Sequence, residues 1–370
     1  MNPPDIRPSA AGPPISPEAF HCPVPGVRTG TRTIQLAHGG GGSLTQQLVE
    51  HTILPRFRNA ALGAEHDGAV LACPPSSDGG PVRLAFTTDG HVVRPLEFPG
   101  GNIGSLAVHG TVNDLAMCGA RPRWLSASLI LEEGLPFEVL ERVLEAMADA
   151  ARQSGVELVT GDTKVVDRGH GDGIYIATSG IGIVEAKTPI EPRSVREGDV
   201  ILVSGDLGRH GIAILSVREG LNFETPILSD VAPLAVPVLD LVHSGVGIHC
   251  LRDLTRGGLA AALHEIAVTS DLGVEIDETS IPIGDPVRAA CEVLGLDPLH
   301  IANEGRFVAF VPEPQAGQAL AVMQRHSVSS GACRIGRVTA RGPAPVQIRT
   351  SLGILRVLAR LSGESLPRIC

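Results

Sequence analysis

The sequence predicts an α/β (α+β) protein made of two α/β domains, with a Pro-rich extension before them and a short tail after. Three observations carry this. The 370 residues exceed the usual span of one domain. From Val82 onward, β-prone runs alternate with segments of helical apolar spacing, and a second such series opens at Val200 after the Pro192-Arg193-Ser194 break. The first 31 residues hold eight prolines and few large apolar side chains, the composition of a disordered extension. The boundaries read from these shifts are an extension over 1–31, an N-terminal domain over 32–190, a C-terminal domain over 191–350 and a tail over 351–370.

Ordered chain is expected from Thr33-Ile34-Gln35-Leu36. Val82 to Thr88 reads as a strand ending at Asp89, and Gly104 to Cys118 as a helix rich in small residues. Trp124 to Leu131 is a second strand. Apolar residues at 137, 140, 144 and 147 then mark one face of a helix that Pro136 opens and Gly155 closes. Val156 to Thr160 reads as a short strand delivering Gly161-Asp162-Thr163-Lys164 to its carboxyl end, and Ile174 to Val184 as another strand. In the second series Val200 to Ser204 is a strand leading into the Gly205–Gly211 turn. Helices are expected over 209–218, 257–270, 286–294 and 315–325, and strands over 272–276 and 306–311. The polar, Pro-containing end from Ser362 to Cys370 reads as a mobile tail.

Composition removes several function classes. Net charge is −10, aromatics are 3 % and no long Lys/Arg run occurs, which argues against a nucleic-acid partner. No apolar run approaches the roughly 20 residues of a membrane span, and no basic-then-apolar leader begins the chain. The seven cysteines are odd in number and form no CxxC, which argues against a disulfide framework and fits a reducing cytoplasm.

Several segments carry chemistry. His38-Gly39-Gly40-Gly41-Gly42-Ser43 sits between a strand and a helix-like run, where glycines let backbone N–H groups approach an anion; it lacks the P-loop lysine, and a plain turn is the alternative. Asp67, Asp89, Asp114, Asp162 and Asp253 lie near the ends of elements or turns, where carboxylates hold Mg2+ together with substrate phosphates or simply cap a helix. Lys164 can offset the charge of a transferred phosphate or serve as a surface lysine. Glu304, in Ala302-Asn303-Glu304-Gly305, stands in an apolar neighbourhood that raises a carboxyl pKa and suits a base, or else belongs to a turn. His264-Glu265 has no second His at the H-E-x-x-H spacing, so a zinc-protease reading fails. The chain ends in Ser365-Leu366-Pro367-Arg368-Ile369-Cys370, a terminal thiol on an approach segment. Its position rules out prenylation, which needs Cys four residues from the end.

Together these segments resemble the HypE family, the carbamoyl dehydratases of [NiFe]-hydrogenase maturation. The likeness runs from about Ile34 to Cys370. It rests on Phe98-Pro99-Gly100-Gly101-Asn102-Ile103-Gly104, Ile130 to Pro136, Gly161-Asp162-Thr163-Lys164-Val165-Val166, Asp253 with Thr255-Arg256-Gly257-Gly258, Ala302 to Gly305, and the Pro-Arg-Ile-Cys end. Gly90-His91 replaces a Ser plus aromatic after Thr-Thr-Asp, and Arg306 stands where Lys is common. A selenophosphate synthetase, a member of the same superfamily, would need a reactive Cys or selenocysteine with Lys in the first glycine loop, and neither is present.

The resemblance implies a two-domain aminoimidazole ribonucleotide synthetase-like architecture and usually a homodimer. It implies ATP bound by His38, Gly39, Gly40, Gly41 and Gly42 with Asn113 and Thr163 nearby, and Mg2+ held among Asp67, Asp89, Asp114, Asp162 and Asp253. It further implies Lys164 and Glu304 around a reacting Cys370. On this likeness a HypF-type carbamoyltransferase loads Cys370, ATP-dependent dehydration turns the S-carbamoyl group into a thiocyanate, and a HypC–HypD-type scaffold receives the cyanide for iron.

Overall fold

In a computed structural model, residues 42–48, 50–51, 69–72, 82–221, 226–361 and 368–370 are described. The expected start at Thr33–Leu36 and the disordered extension over 1–31 lie outside them. Helix α1 (Ser43–Leu48) and strand β1 (Ala69–Ala72) precede β2 (Arg83–His91), the two-residue strands β3 (Glu97–Phe98) and β4 (Gly101–Asn102), and helix α2 (Ile103–Met117). There follow β5 (Ala120–Glu132), α3 (Phe137–Ser154), β6 (Glu157–Val166) and β7 (Ile174–Val184). The second series is β8 (Val200–Val203), α4 (Arg209–Arg218), α5 (Ala235–His243), β9 (Cys250–Asp253), α6 (Gly258–Ser270), β10 (Gly273–Asp277), α7 (Asp285–Leu294), β11 (Phe307–Val311), α8 (Ala316–Met323), β12 (Cys333–Thr339), β13 (Val346–Arg349) and β14 (Leu355–Val357).

The first series builds a five-stranded sheet of order β1-β2-β7-β5-β6, the second a seven-stranded sheet of order β14-β13-β10-β12-β8-β11-β9. Both are mixed. The β5–β6 and β10–β13 pairs run parallel, while β2–β7, β5–β7, β8–β11 and β9–β11 run antiparallel. Local chemistry explains the main helices. Asn102 caps α2, its side chain accepting from the N–H groups of Gly104 (2.9 Å) and Ser105 (3.1 Å) while Ser105 Oγ accepts from Asn102 N–H. Helix α2 is buried on nearly every face, which its small residues permit. Helix α3 shows only Val143, Met147 and Ala150 to the core and ends where Gly155 turns left-handed at φ 66°. In β11, which lies between β8 and β9, all five residues, Phe307 to Val311, are buried, as a strand covered on both faces demands.

Three expectations need correction. The β-prone run at Val156 does not stop at Thr160: β6 continues to Val166, so Gly161 to Lys164 lies inside a strand and not in a loop after one. Helix α5 and strands β9, β12, β13 and β14 were not anticipated: β9, β13 and β14 are three or four residues long, and the polar Arg334 and Arg337 with Gly336 interrupt the apolar pattern of β12. The stretch assigned to the tail from 351 begins with β14, which pairs with β13 through Gln347↔Val357, Ile348↔Arg356 and Arg349↔Leu355.

Two glycines fix how the second sheet's loops meet. Gly258 has φ +60°, and a Cβ there would lie 2.6 Å from the Ile301 carbonyl and 2.7 Å from that of Leu299. At Gly305 a Cβ would fall 1.9 Å from the carbonyl oxygen of Asp230, a backbone atom with nowhere to go. Gly305→Ala is therefore expected to lower stability by about 1–3 kcal/mol, the cost of overpacking. Gly317→Ala, on α8 with nothing within 4 Å of the new methyl, should be neutral or slightly stabilising. Urea midpoints of the two variants check this, and equal midpoints would contradict the close contact.

Candidate active site

The site is built where the ends of β2 and β9 meet the loop entering β11. Phe307 pairs with Asp253, so the Asn303–Arg306 segment arrives alongside the last residues of β9. Asn303 locks it in place. Its Oδ1 accepts from Gly208 N–H (2.7 Å), and its Nδ2 donates to the carbonyls of Leu254 and Ile301 (3.0 Å each). Asp230 supports the same turn by accepting from Gly305 N–H at 3.1 Å. Arg306 is buried and structural: it donates to the Asp206 carboxylate (2.5 Å) and to the carbonyls of Asp206, Gly305 and Val328. The departure from Lys at this position therefore concerns loop packing.

This scaffold holds Glu304 only 4 % exposed, with Oε1 making no hydrogen bond. Burial raises its carboxyl pKa well above the usual range, and the neighbouring charges of Asp253, Asp89 and Asp230 push the same way, against a smaller opposing effect of Arg256. Asp230 Oδ1 is also buried without a hydrogen bond. Asp89 lies 3.4 Å from Nε2 of the buried His91. Burial lowers the His91 pKa more than Asp89 raises it. Asp114, on α2, accepts from Thr87 Oγ1 at 2.8 Å. Asn113 joins the two sheets' surroundings: its Nδ2 donates to the carbonyls of Ala232 (3.1 Å) and Glu304 (3.3 Å), and its Oδ1 accepts from Leu234 N–H (2.8 Å).

The end of the chain is seated beside this group. A terminal carboxylate oxygen of Cys370 accepts from Val92 N–H (3.0 Å) and the Arg368 carbonyl from Arg94 N–H (3.1 Å), so the tail runs along the chain that leaves β2. Asp89 is three residues, about 10 Å of extended chain, before Val92. Ile369 is 3 % exposed and packs into the main core, with its carbonyl 2.7 Å from His210 Nε2. His210 Nδ1 lies 2.8 Å from Ser229 Oγ, next to Asp230.

Asp89, Asp253 and Glu304 are thus brought together, and Cys370 is held at Val92, three residues after Asp89. Asp162, Thr163 and Lys164 are not. Gly90, Ala177, Ser128 and Asp162 form one row across β2, β7, β5 and β6, three strand spacings or about 14 Å. Lys164 Nζ is 2.8 Å from Asp162, both are exposed, and the Asp162 pKa is lowered by that bond first and by Thr163 N–H second. Thr163 lines a separate, largely apolar cavity of about 470 Å3 with Leu125, Leu144 and Met147. The physical reason is the extension of β6 through the motif. His38, Gly39, Gly40, Gly41 and Asp67 lie outside the described residues; Gly42 accepts from Gln46 N–H at the start of α1. Sequence reasoning gave no role to His91, His210, Asp230 or Arg256. His91 and Arg256 lie within segments that were singled out; His210 and Asp230 carry no local signal, since only the fold brings them in.

Two family models match, AIR synthase related protein, N-terminal domain, over residues 65–184, and AIR synthase related protein, C-terminal domain, over 196–348. A carbamoyl dehydratase HypE of Cupriavidus necator is 50 % identical over 337 residues, 91 % of this chain and 95 % of its own. The chain belongs to the HypE family. A crystal structure of HypE in complex with ATP is similar with TM-score 0.75 and 46 % identity, covering 91 % of this chain and 100 % of that one. A HypE–HypF complex matches with TM-score 0.79 and 42 % identity, over 85 % of this chain and 99 % of that one. The HypE fold here keeps the fold class expected from the sequence, two α/β halves of aminoimidazole ribonucleotide synthetase type.

The Glu304 environment has a direct consequence for stability. A carboxyl whose folded pKa is raised keeps its full contribution below the unfolded value and loses it as pH climbs toward the folded value. Without nucleotide or metal, the chain should therefore lose stability relative to Glu304→Gln as pH rises from about 5 to 8. Urea midpoints of both proteins at the two pH values measure this, and parallel pH dependences would contradict it.

Proposed function

We propose that this chain is an ATP-dependent carbamoyl dehydratase acting on its own C-terminal cysteine. The observation that carries the reading is the seating of Cys370 against Val92, three residues after Asp89, whose charge acts on the buried Glu304, in a chain of the HypE family. The ATP complex of a HypE relative supports ATP as co-substrate here.

Cys370 carries the group as S–C(O)NH2. Its carbamoyl oxygen forms a bond to the γ-phosphorus as ADP leaves, which turns a poor leaving oxygen into phosphate. O-phosphorylation leaves the nitrogen as an iminium that gives up one proton to solvent; Glu304 accepts the second nitrogen proton while the C–O bond breaks and phosphate departs, leaving S–C≡N. A desolvated carboxylate is a strong proton acceptor, and the acidic surroundings of Glu304 increase that basicity. Among the described residues no three side chains stand as a ready metal cage. Mg2+, which commonly takes one or two carboxylates with phosphate oxygens and waters, nonetheless suits a site whose buried carboxylate oxygens on Asp230 and Glu304 have no hydrogen-bond donor. Asp89 and Asp253 would hold it, and its charge would offset that of the phosphates. His38 to Gly42 and Asp67 keep their proposed parts in nucleotide and metal binding, while Lys164, paired with Asp162 on the edge strand, is given no part in the site of its own chain.

The partners proposed are a HypF-type carbamoyltransferase, supported by the HypE–HypF complex, and a HypC–HypD-type scaffold that takes the cyanide. A homodimer through β6 is supported by that edge strand, which leaves Leu158, Val159 and Val165 exposed. Among the described residues no helix is long and apolar enough to cross a membrane, and a cytoplasmic site of action is proposed with it.

Two substitutions separate the roles. Glu304→Gln should still accept carbamoyl and bind ATP but dehydrate some 10²–10⁴-fold more slowly, the usual contribution of a positioned base. Asp89→Asn or Asp253→Asn should instead raise the Mg2+ concentration needed for half-maximal turnover. Stopped-time assays of thiocyanate formation across a Mg2+ titration read both. Normal rates in Glu304→Gln would move the base elsewhere, and unchanged Mg2+ dependence in both Asp variants would remove them from the site.

A further inference from the structure

The two residues before Cys370 are gripped by side chains that the dehydration chemistry does not use. His210 is fully buried, with its ring edge-on to Phe98 at a centroid distance of 5.4 Å. A carbonyl can only accept, so His210 Nε2–H must donate to Ile369 O (2.7 Å). That fixes the tautomer. Nδ1 is the acceptor, facing Ser229 Oγ at 2.8 Å, and the same Oγ accepts from Val231 N–H at 3.1 Å. Every polar atom of the imidazole is satisfied in its neutral form, and burial, which lowers its pKa, keeps it so. The contact is made to backbone and does not involve the thiol, so it orients the tail without entering the reaction.

A second grip reads the residue before. Arg368 Nη1 lies 2.9 Å from both carboxylate oxygens of Asp172, which also accepts from the Tyr175 hydroxyl at 3.0 Å and has Arg94 Nη1 at 3.5 Å. Arg368 has φ 56°, so the chain turns sharply there before Ile369 enters the core. The first grip is dry and directional. The second is half-exposed and subject to salt screening.

We propose that His210 and Asp172 form a two-point latch on the C-terminal tail, with His210 the positioning residue that sets Cys370 for dehydration and Asp172 the clasp that recognises Arg368. The latch deepens the self-substrate reading and rests on it for its catalytic arm alone. A tail that is loaded by another protein and processed internally must be released and recaptured. The clasp is the part that can open first, because its charges are already partly solvated. The His210 bond then decides whether the returning tail adopts the reactive pose.

The test uses the full chain. Alkylation of Cys370 by iodoacetamide is followed by mass spectrometry of the C-terminal peptide, and dehydration of the carbamoylated protein is timed at saturating ATP. His210→Ala should be alkylated at Cys370 roughly tenfold faster and should dehydrate roughly tenfold more slowly, each the effect of one lost directional hydrogen bond. ATP KM should be unchanged. His210→Gln, whose amide N–H can reach the same carbonyl, should recover most of both, which a merely structural loss would not. Asp172→Asn should speed alkylation several-fold at low salt and little at high salt, and Asp172→Asn with Arg368→Gln should be no faster than either single change. Should His210→Ala disturb the core, the Asp172–Arg368 cycle still reads the latch at the surface. Alkylation rates equal to wild type in both His210→Ala and Asp172→Asn, or additive effects in the Asp172–Arg368 pair, would overturn the proposal. If the unaltered chain makes no thiocyanate while the alkylation results hold, the dehydratase reading fails and the latch stands.

Discussion

The structure turns on a concentration of like charge. Asp253, Asp89 and Asp230 all press on Glu304 electrostatically at the joint between the two sheets, and Glu304 and Asp230 are the most deeply buried of the four. Such a group costs free energy unless a proton, a cation or fixed donors answer it. The scaffold answers part of it: Asn303 pins the loop, Gly305 lets the Asp230 backbone touch it, and Asp230 takes the Gly305 N–H. The rest stays open, with an oxygen of Glu304 and one of Asp230 left without hydrogen bonds. A fold that keeps such a cost in place has reserved the location for a ligand with positive charge and for a proton in transit.

The tail is the other half of that arrangement. A terminal cysteine on a short segment gains nothing from proximity unless its approach is defined. Here the definition comes from backbone and from the side chain of the preceding residue. Val92 and Arg94 extend the hydrogen-bonding line of β2 onto residues 368–370, and Ile369 fills a place in the core. Cys370 is thereby tied to the same strand that carries Asp89.

Much of this was legible in the sequence. The helix from Phe137 to Ser154 followed from its apolar spacing and its flanking Pro136 and Gly155, and β7 matched Ile174–Val184 residue for residue. Asp89, Asp253 and Glu304 stood out because each sits in a motif of small and polar residues at the edge of an apolar run. The Gly161–Lys164 motif misled for a physical reason. A Gly-Asp pair ordinarily signals a turn, yet the pairing of β6 with β5 supplies enough backbone hydrogen bonds to carry the strand through it. His210 and Asp230 were invisible, since their neighbours are ordinary and their partners lie far along the chain. Long-range convergence of this kind is set by topology, and a single sequence reports it only through resemblance.

The central claim is that Cys370 is the protein's own substrate. It is tested most directly by mass analysis of the C-terminal peptide after incubation with the carbamoyltransferase and carbamoyl donor, before and after Mg–ATP. The account predicts a gain of one carbamoyl group on Cys370 followed by the loss of one water, with neither change in Cys370→Ala. Modification of another cysteine, or a carbamoyl group on Cys370 that Mg–ATP leaves intact, would contradict it.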